Sequence, residues 1–429
     1  MGLRAKPHPS CRVVIAGRIR ASGHVSSFLV LIFVSAFTVQ NAAAEVRNIP
    51  DNVHNTEDTL RFSAIAGMTH DSNLFRFSGQ EEALATTGDS TMSDTLRYYG
   101  AGVVADMPVS RQRFRLEGNT RKIEYNHFDF LDHTSGEGTA QWFWQLGRQW
   151  EGDLGYAYQR AISSFEEERR FERDIRTHRR VNFSAGYLFH PDWSVQVGIN
   201  AARLTYEDDQ RNELNRDTNG AEFELRYLNA AMTYIGGRLR IRDTQFPERD
   251  FQPGESVDDA YRNYDLSLTA RLEPVQGSYL NGYIGYTARE YANLDDQNFY
   301  GLTTRLSYQW PLTGKTQMAV SIWRHLDPVD DLVVDHVVQQ GIGLEPQWML
   351  SDKVVLKGGL LFENRDYEGL VAGRGRREDD VHTAQLSMIY APILSLAFIV
   401  LAEHEQRTSS FDDAEYEYNT ISSGIRFAF

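Results

Sequence analysis

The sequence predicts an all-β protein: a single transmembrane antiparallel up-and-down β-barrel of about 18 strands, with short periplasmic turns and long extracellular loops. Three observations predict it. Apolar and polar residues alternate with period two in segment after segment, the pattern of a strand with two different faces. Short turns rich in Pro, Gly and Asp recur about every forty residues, with a longer polar connection between each pair. The last stretch, Glu415 to Phe429, places Ile421, Ile425, Phe427 and Phe429 on one face and Thr420, Ser422, Gly424, Arg426 and Ala428 on the other. An alternating strand closing on an aromatic residue resembles the assembly signal of outer-membrane barrels, which would make Ile425, Phe427 and Phe429 the contact with the barrel assembly machinery.

The alternation holds along the chain. Leu302, Leu306, Tyr308 and Trp310 alternate with Thr303, Arg305, Ser307 and Gln309; Trp193, Val195, Val197 and Ile199 alternate with Ser194, Gln196, Gly198 and Asn200. In 231–242, Thr233, Ile235, Leu239 and Ile241 alternate with Tyr234, Arg238, Arg240 and Arg242. In 394–405 the apolar face is Leu394, Leu396, Phe398 and Val400, with Ile399 and Leu401 breaking the rule on the other side. In 111–129 the apolar parity changes from Phe114 and Leu116 to Ile123 and Tyr125, which predicts a bulge, or an extension beyond the membrane, near Asn119-Thr120.

The tight turns are expected near Met107-Pro108, Glu151-Gly152, His190-Asp192, Asn229-Ala230, Pro274-Gly277, Pro311-Gly314, Leu350-Asp352 and Ala391-Pro392. The long connections are expected at 69–93, 130–136, 164–174, 207–217, 247–259, 293–296, 327–331, 366–380 and 408–414. Eight turns and nine loops delimit eighteen strands with both ends of the barrel on the short-turn side. Trp144, Trp150, Tyr187, Phe189, Trp193, Trp310, Trp348 and Tyr390 lie beside the turns, where barrels carry an aromatic girdle. A propeller also repeats about every forty residues, but each blade needs four short strands, and here each period holds two long ones.

Composition sets the compartment. Residues 1–44 read as a signal peptide, with Arg4, Lys6, Arg12, Arg18 and Arg20 before an apolar run from Phe28 to Phe37 and Ala42-Ala43-Ala44 before the expected cleavage at Glu45. Residues 45–58 read as a periplasmic lead-in and 59–429 as the barrel. Cleavage removes Cys11, the only cysteine. It also lowers the 44 basic residues to 39 against 59 acidic ones, a balance of −20 that argues against nucleic acid as a partner. Mean hydropathy is −0.47 and no later run is long enough for a spanning helix, yet a barrel strand shows lipid only every second residue.

No catalytic constellation emerges. The twelve histidines lack the spacing of helical zinc sites, and the nucleophile-elbow, phosphate-loop and dinucleotide fingerprints are absent. The reading is a non-enzyme without cofactor or bound metal. Paired acids recur at the long loops: Glu207-Asp208-Asp209, Asp258-Asp259, Asp295-Asp296, Asp330-Asp331, Glu378-Asp379-Asp380 and Asp412-Asp413. Oxygen-rich groups of this kind suit divalent cations that bridge to lipopolysaccharide phosphates, although solvated carboxylates are the simpler account.

If the apolar faces meet lipid, the opposite faces line a pore. That places Arg176, Arg180, Arg226, Arg238, Arg240, Arg242, Arg271, Arg305, Lys357 and Arg426 inside, with Glu222, Glu224, Asp265, Glu273, Glu345 and Glu363 among them. Arg238, Arg240 and Arg242 stack about 7 Å apart along one strand. Such a ladder is either offset by Glu222 and Glu224 on the preceding strand or left to attract anions, since arginine suits carboxylate-bearing sugars.

The segment His70-Asp71-Ser72-Asn73-Leu74-Phe75-Arg76 resembles the end of the first strand in EpsL-type outer-membrane proteins of exopolysaccharide biosynthesis operons. Tyr125–Asp132, Gln141–Trp150 and Gly152–Tyr156 are similar to that family too. The resemblance implies an outer-membrane barrel working beside polysaccharide synthesis and export, and supplies no catalytic residues. Asp71, Asn73, Leu74, Phe75 and Arg76 carry it, with Asp71 and Asn73 open to reading as a strand-ending turn or a ligand contact. Three functions follow as expectations: a conduit for an acidic exopolysaccharide, a diffusion porin for small solutes, or a non-conducting component of a polysaccharide machine. Any plug is expected from the longest loop, 69–93.

Overall fold

A computed structural model describes residues 59–429 apart from 167–170, 230–232, 250–259, 293–296, 328–335 and 372–374. The expected signal peptide and lead-in segment, and the acid pairs at 258–259, 295–296 and 330–331, lie outside the described residues.

Eighteen strands form one closed antiparallel sheet. They are β1 (Leu60–Asp71), β2 (Asp94–Val109), β3 (Gln112–Tyr125), β4 (His133–Leu146), β5 (Trp150–Ile162) and β6 (Ile175–His190). Then come β7 (Trp193–Tyr206), β8 (Arg216–Leu228), β9 (Tyr234–Gln245), β10 (Tyr261–Leu272), β11 (Tyr279–Tyr291) and β12 (Phe299–Pro311). The last six are β13 (Thr316–Asp327), β14 (His336–Ser351), β15 (Val354–Val371), β16 (Gly375–Ile393), β17 (Leu396–Ser409) and β18 (Tyr416–Ala428). Each strand pairs with its sequence neighbours, and β1 pairs with β18 to close the circle. At that seam Phe62 and Phe429 exchange both backbone hydrogen bonds at 2.9 Å and their rings stack at 6.0 Å.

Closure removes the open edges, so backbone groups in the wall pair with neighbouring strands without water, apart from local breaks such as that at Pro346 in β14. The outer face is the apolar one. Val181 and Phe183, Val197 and Ile199, Leu266 and Leu268, and Leu360 and Phe362 are all exposed large hydrophobics at alternate positions. Trp150 stacks on Tyr187 at 4.4 Å and Trp193 meets Tyr227 at 5.2 Å beside the short turns, which supplies the expected aromatic girdle. Strands of 18 and 19 residues in β15 and β16 exceed the roughly 9–11 needed to cross. The excess extends on the long-loop side.

Several boundaries differ from the sequence reading. Met107-Pro108, Glu151-Gly152 and Ala391-Pro392 lie within strands, and the turns fall at 110–111, 147–149 and 394–395. Gly147, with φ of 63°, provides the left-handed turn position, whereas Gly152 sits in β5 where the Trp144 ring packs across it. The connection read as 366–380 is mostly a hairpin, because β15 runs to Val371 and β16 restarts at Gly375. No bulge occurs near Asn119-Thr120: β3 pairs in unbroken register with β2 and β4. The side chains keep their faces; what changes is the polarity of each face. Phe114 and Leu116 point to lipid, while Ile123 and Tyr125 point inward and are buried. Ile399 and Leu401, the exceptions in β17, are likewise interior and buried, Ile399 packing with Ile389, Ala391 and Ala397.

Candidate functional site

The interior holds two different arrangements, one on each side of the barrel. The first lies on β8 to β12. Arg226, Arg238, Arg240, Arg242, Arg271 and Arg305 all occupy the face opposite the exposed apolar residues of their strands, as do Glu222, Glu224 and Asp265. Arg176 and Arg180 on β6, Lys357 and Glu363 on β15 and Arg426 on β18 share that interior face, as does Glu345 on β14. Glu273 does not: it lies in the turn after β10, where its carboxylate accepts from Gly277 N–H at 2.8 Å.

The register sets Glu222 opposite Arg240 and Glu224 opposite Arg238. Glu222 acts on Arg240 by charge, but neither acid is the ladder's direct ion-pair partner among the described residues. Glu224 accepts instead from Arg226 two residues along its own strand, at 2.9 and 2.5 Å, and from the Thr269 hydroxyl. Asp265 on β10 takes Arg240 at 2.9 Å and Arg242 at 3.3 Å, and accepts from Thr287 Oγ1 at 2.6 Å. A single carboxylate thus bridges two arginines. Arg238 rests its guanidinium 5.0 Å from the Tyr283 ring centre, and its Nε and Nη2 have no hydrogen-bond partner. Sequence reasoning missed Arg289 on β11, whose Nε donates to Asn263 at 2.9 Å and which lies over Tyr261 at 4.2 Å. The alternation that located Arg271 and Arg305 also contains it.

The second arrangement closes in at the long-loop end of β15 to β18. After β1 the chain turns inward. Arg76, with φ of 61°, reaches back to both carboxylate oxygens of Asp71 at 3.1 and 3.0 Å. Asn73 Nδ2 donates to the Phe77 and Glu417 carbonyls at 2.8 and 3.1 Å, and its Oδ1 accepts from Phe77 N–H at 2.9 Å. Through these contacts Asp71 and Asn73 hold the turn. Leu74, Phe75 and Phe77 then pack with Ile123, Tyr125, Phe128 and Leu131 in one buried cluster, together with Ala83 from α1 (Gln80–Thr87). The described ends of the next long loop, 163–166 and 171–174, join them, since Phe75 meets Phe165 at 4.7 Å and Phe171 at 5.2 Å.

That second loop also crosses the barrel. Arg407 on β17 donates to the Glu166 carbonyl at 2.6 Å, and Arg365 on β15 lies 3.6 Å from the Glu166 carboxylate. In the circular strand order β15 is eight strands from β5 by the shorter way, close to the opposite wall. Beneath this contact the charges are paired. Arg365 binds Glu363 at 2.7 Å, Arg377 binds Asp379 at 2.6 Å, and the Tyr416 and Tyr418 hydroxyls donate to Glu405 and Glu403, each at 2.9 Å. Arginines lie over tyrosine rings throughout: Arg76 over Tyr418 at 3.5 Å, Arg377 over Tyr367 at 4.2 Å and Arg407 over Tyr416 at 4.3 Å. The sequence placed a plug in 69–93. The structure shows that loop folded inward and adds 163–166 and 171–174, which carried no separate signal.

Among the described residues no group of three or more His, Cys, Asp or Glu side chains is placed to hold a metal ion. Two of the loop acids are engaged locally: Asp208 caps the short helix that follows it by accepting from Gln210 N–H, and Asp379 is buried with Arg377 and Ser409.

A protein family described as "Putative beta-barrel porin 2" matches residues 275–429. The chain is similar in fold to the outer-membrane protein OpdK of Pseudomonas aeruginosa, with 8% identity over 87% of this chain and 100% of that one, at a TM-score of 0.47. A BenF-like porin from Pseudomonas fluorescens Pf-5 matches with 8% identity over 87% and 99%, at 0.46. The siderophore receptor PirA of Pseudomonas aeruginosa matches with 9% identity over 87% and 81%, at 0.40. No curated protein matches the sequence. The closed barrel, its apolar outer belt and the porin match place the chain in the outer membrane as a porin-like β-barrel.

Proposed function

We propose that the barrel is a channel that prefers anions and passes carboxylate-bearing solutes, acidic sugars foremost. One observation carries this reading. On the interior face of β8 to β12 the arginines outnumber Glu222, Glu224 and Asp265, although the chain as a whole is acidic. Low-dielectric walls concentrate the field of such a strip and raise the local concentration of anions. Arginine adds geometry to charge, because its planar fork donates two parallel hydrogen bonds to one carboxylate. The inward-folded loops favour small solutes over an extended polymer, since the mouth is bridged through Glu166.

A conduit for an acidic exopolysaccharide is the second reading, favoured by the resemblance carried by Asp71 to Arg76. It requires the bridge at Glu166 to open. Proteoliposomes holding the barrel test the first reading. Glucuronate should enter faster than glucose, and the difference should vanish in a variant with Arg238→Gln, Arg240→Gln and Arg242→Gln. Equal entry of the two sugars into wild-type proteoliposomes would refute it.

A further inference from the structure

The outer face of β5, β6 and β7 carries an arginine that no acid among the described residues contacts. Val181 and Ala201 stand directly opposite one another and are exposed on the lipid side. One outward-facing step further toward the long loops, Arg179 and Arg203 stand directly opposite one another. Successive residues on one face of a strand are about 7 Å apart, so this step leads from the hydrocarbon to the first polar level of the outer leaflet. Like charges directly opposite in an antiparallel pair are destabilising. Arg203 is offset by Asp217 on β8, at 2.6 and 2.5 Å. Arg160 on β5, diagonal to Arg179, is offset by Glu207 at 2.5 Å. Arg179 is exposed, faces Tyr158 on its other side, and has no acidic partner among the described residues. Among the described residues Arg160 and Arg203 each hold a carboxylate in direct contact, and Glu248 acts on Arg203 from further off, so the guanidinium between them, Arg179, is the one with no acid in contact.

We infer that Arg160, Arg179 and Arg203 form a binding site for a phosphoryl group on the glycolipid headgroup of the outer leaflet. Chemistry and height agree. A phosphate oxygen pair matches the guanidinium fork, and an anion between Arg179 and Arg203 removes the repulsion that their pairing creates. The site is independent of the interior wall, since these side chains project from the opposite face.

The test uses the full barrel purified in detergent, titrated with bisphosphorylated lipid A and, separately, with the same lipid enzymatically dephosphorylated. Native mass spectrometry reads the bound fraction. Wild type should retain the phosphorylated lipid about tenfold better than the dephosphorylated one. The paired change Arg179→Gln with Arg203→Gln should abolish the preference. Arg179→Gln alone, which disturbs no ion pair, should lower it severalfold and guards against a folding defect in the double variant. Equal retention of both lipids, or an unchanged preference in Arg179→Gln and the double variant, would overturn the site. So would displacement of the lipid by millimolar inorganic phosphate, which would assign the patch to the free ion.

Discussion

Arg76 grips both carboxylate oxygens of Asp71 from five residues away, and both side chains are almost wholly buried inside the barrel. Neither charge can reach water, so each depends on the other. Breaking a buried pair from one side costs about 3–5 kcal/mol, because the remaining charge is stranded. The pair also holds Arg76 in a left-handed conformation that a non-glycine residue adopts only under constraint. Arg76→Gln and Asp71→Asn should each release the inward loop. Protease cleavage within 72–93 should speed up by at least tenfold and single-channel conductance should rise. The double variant, which strands no charge, should recover part of the protection; a double variant no better than the worse single one would show that the pairing is not what holds the loop.

Arg407→Gln should open the mouth more than Glu166→Gln does. The arginine donates to the Glu166 backbone carbonyl, which the glutamine at 166 would leave in place, and also to the Ala414 carbonyl at 2.9 Å. Glu166→Gln weakens the pull of its carboxylate on Arg365 and keeps the carbonyl that Arg407 holds. Open-channel current in planar bilayers should rank Arg407→Gln above Glu166→Gln above wild type. The reverse order would mean that the side-chain pair, not the backbone contact, anchors the loop that carries Glu166.

Two glycines should respond to alanine in different ways. At Gly147 the φ of 63° is the only obstacle, and nothing lies within 4 Å of an added Cβ, so Gly147→Ala should cost about 1–2 kcal/mol with the barrel intact. At Gly152 an added Cβ would run into the Ser184 carbonyl and the Trp144 ring. Both neighbours belong to the wall itself. Gly152→Ala should reduce the fraction that runs as folded barrel on unboiled gels far more than Gly147→Ala; equal yields would contradict the packing of Trp144 across β5.

The strand count and the direction of each face were legible because they rest on a local rule: every second residue of a lipid-facing strand must be apolar. That rule ends where the membrane ends. Beyond it Ile123 and Tyr125 are apolar because the inward loop packs on them, and the same parity change that suggested a bulge in β3 reports this second, internal core. The interior arginines were legible for the same reason as the strands. Their partners were not. Asp265 was placed inside, but its service to both Arg240 and Arg242 depends on β9 and β10 being neighbours across a loop whose length says nothing about register. Glu166 was less legible still. It looked like one acid in a polar loop, and its contacts with Arg365 and Arg407 join positions far apart in the chain, 241 apart in the case of Arg407.

In the proposed channel the arginine strip on β8 to β12 faces the conducting path and sets its charge preference. The zero-current potential across a tenfold potassium chloride gradient tests it most directly, since its sign reports whether chloride or potassium passes more readily. The wild-type barrel should show an anion-preferring potential that moves toward zero when Arg238, Arg240 and Arg242 are replaced by Gln, while Arg179→Gln on the outer face leaves it unchanged. A cation-preferring wild type, or a triple variant with the wild-type potential, would contradict the account.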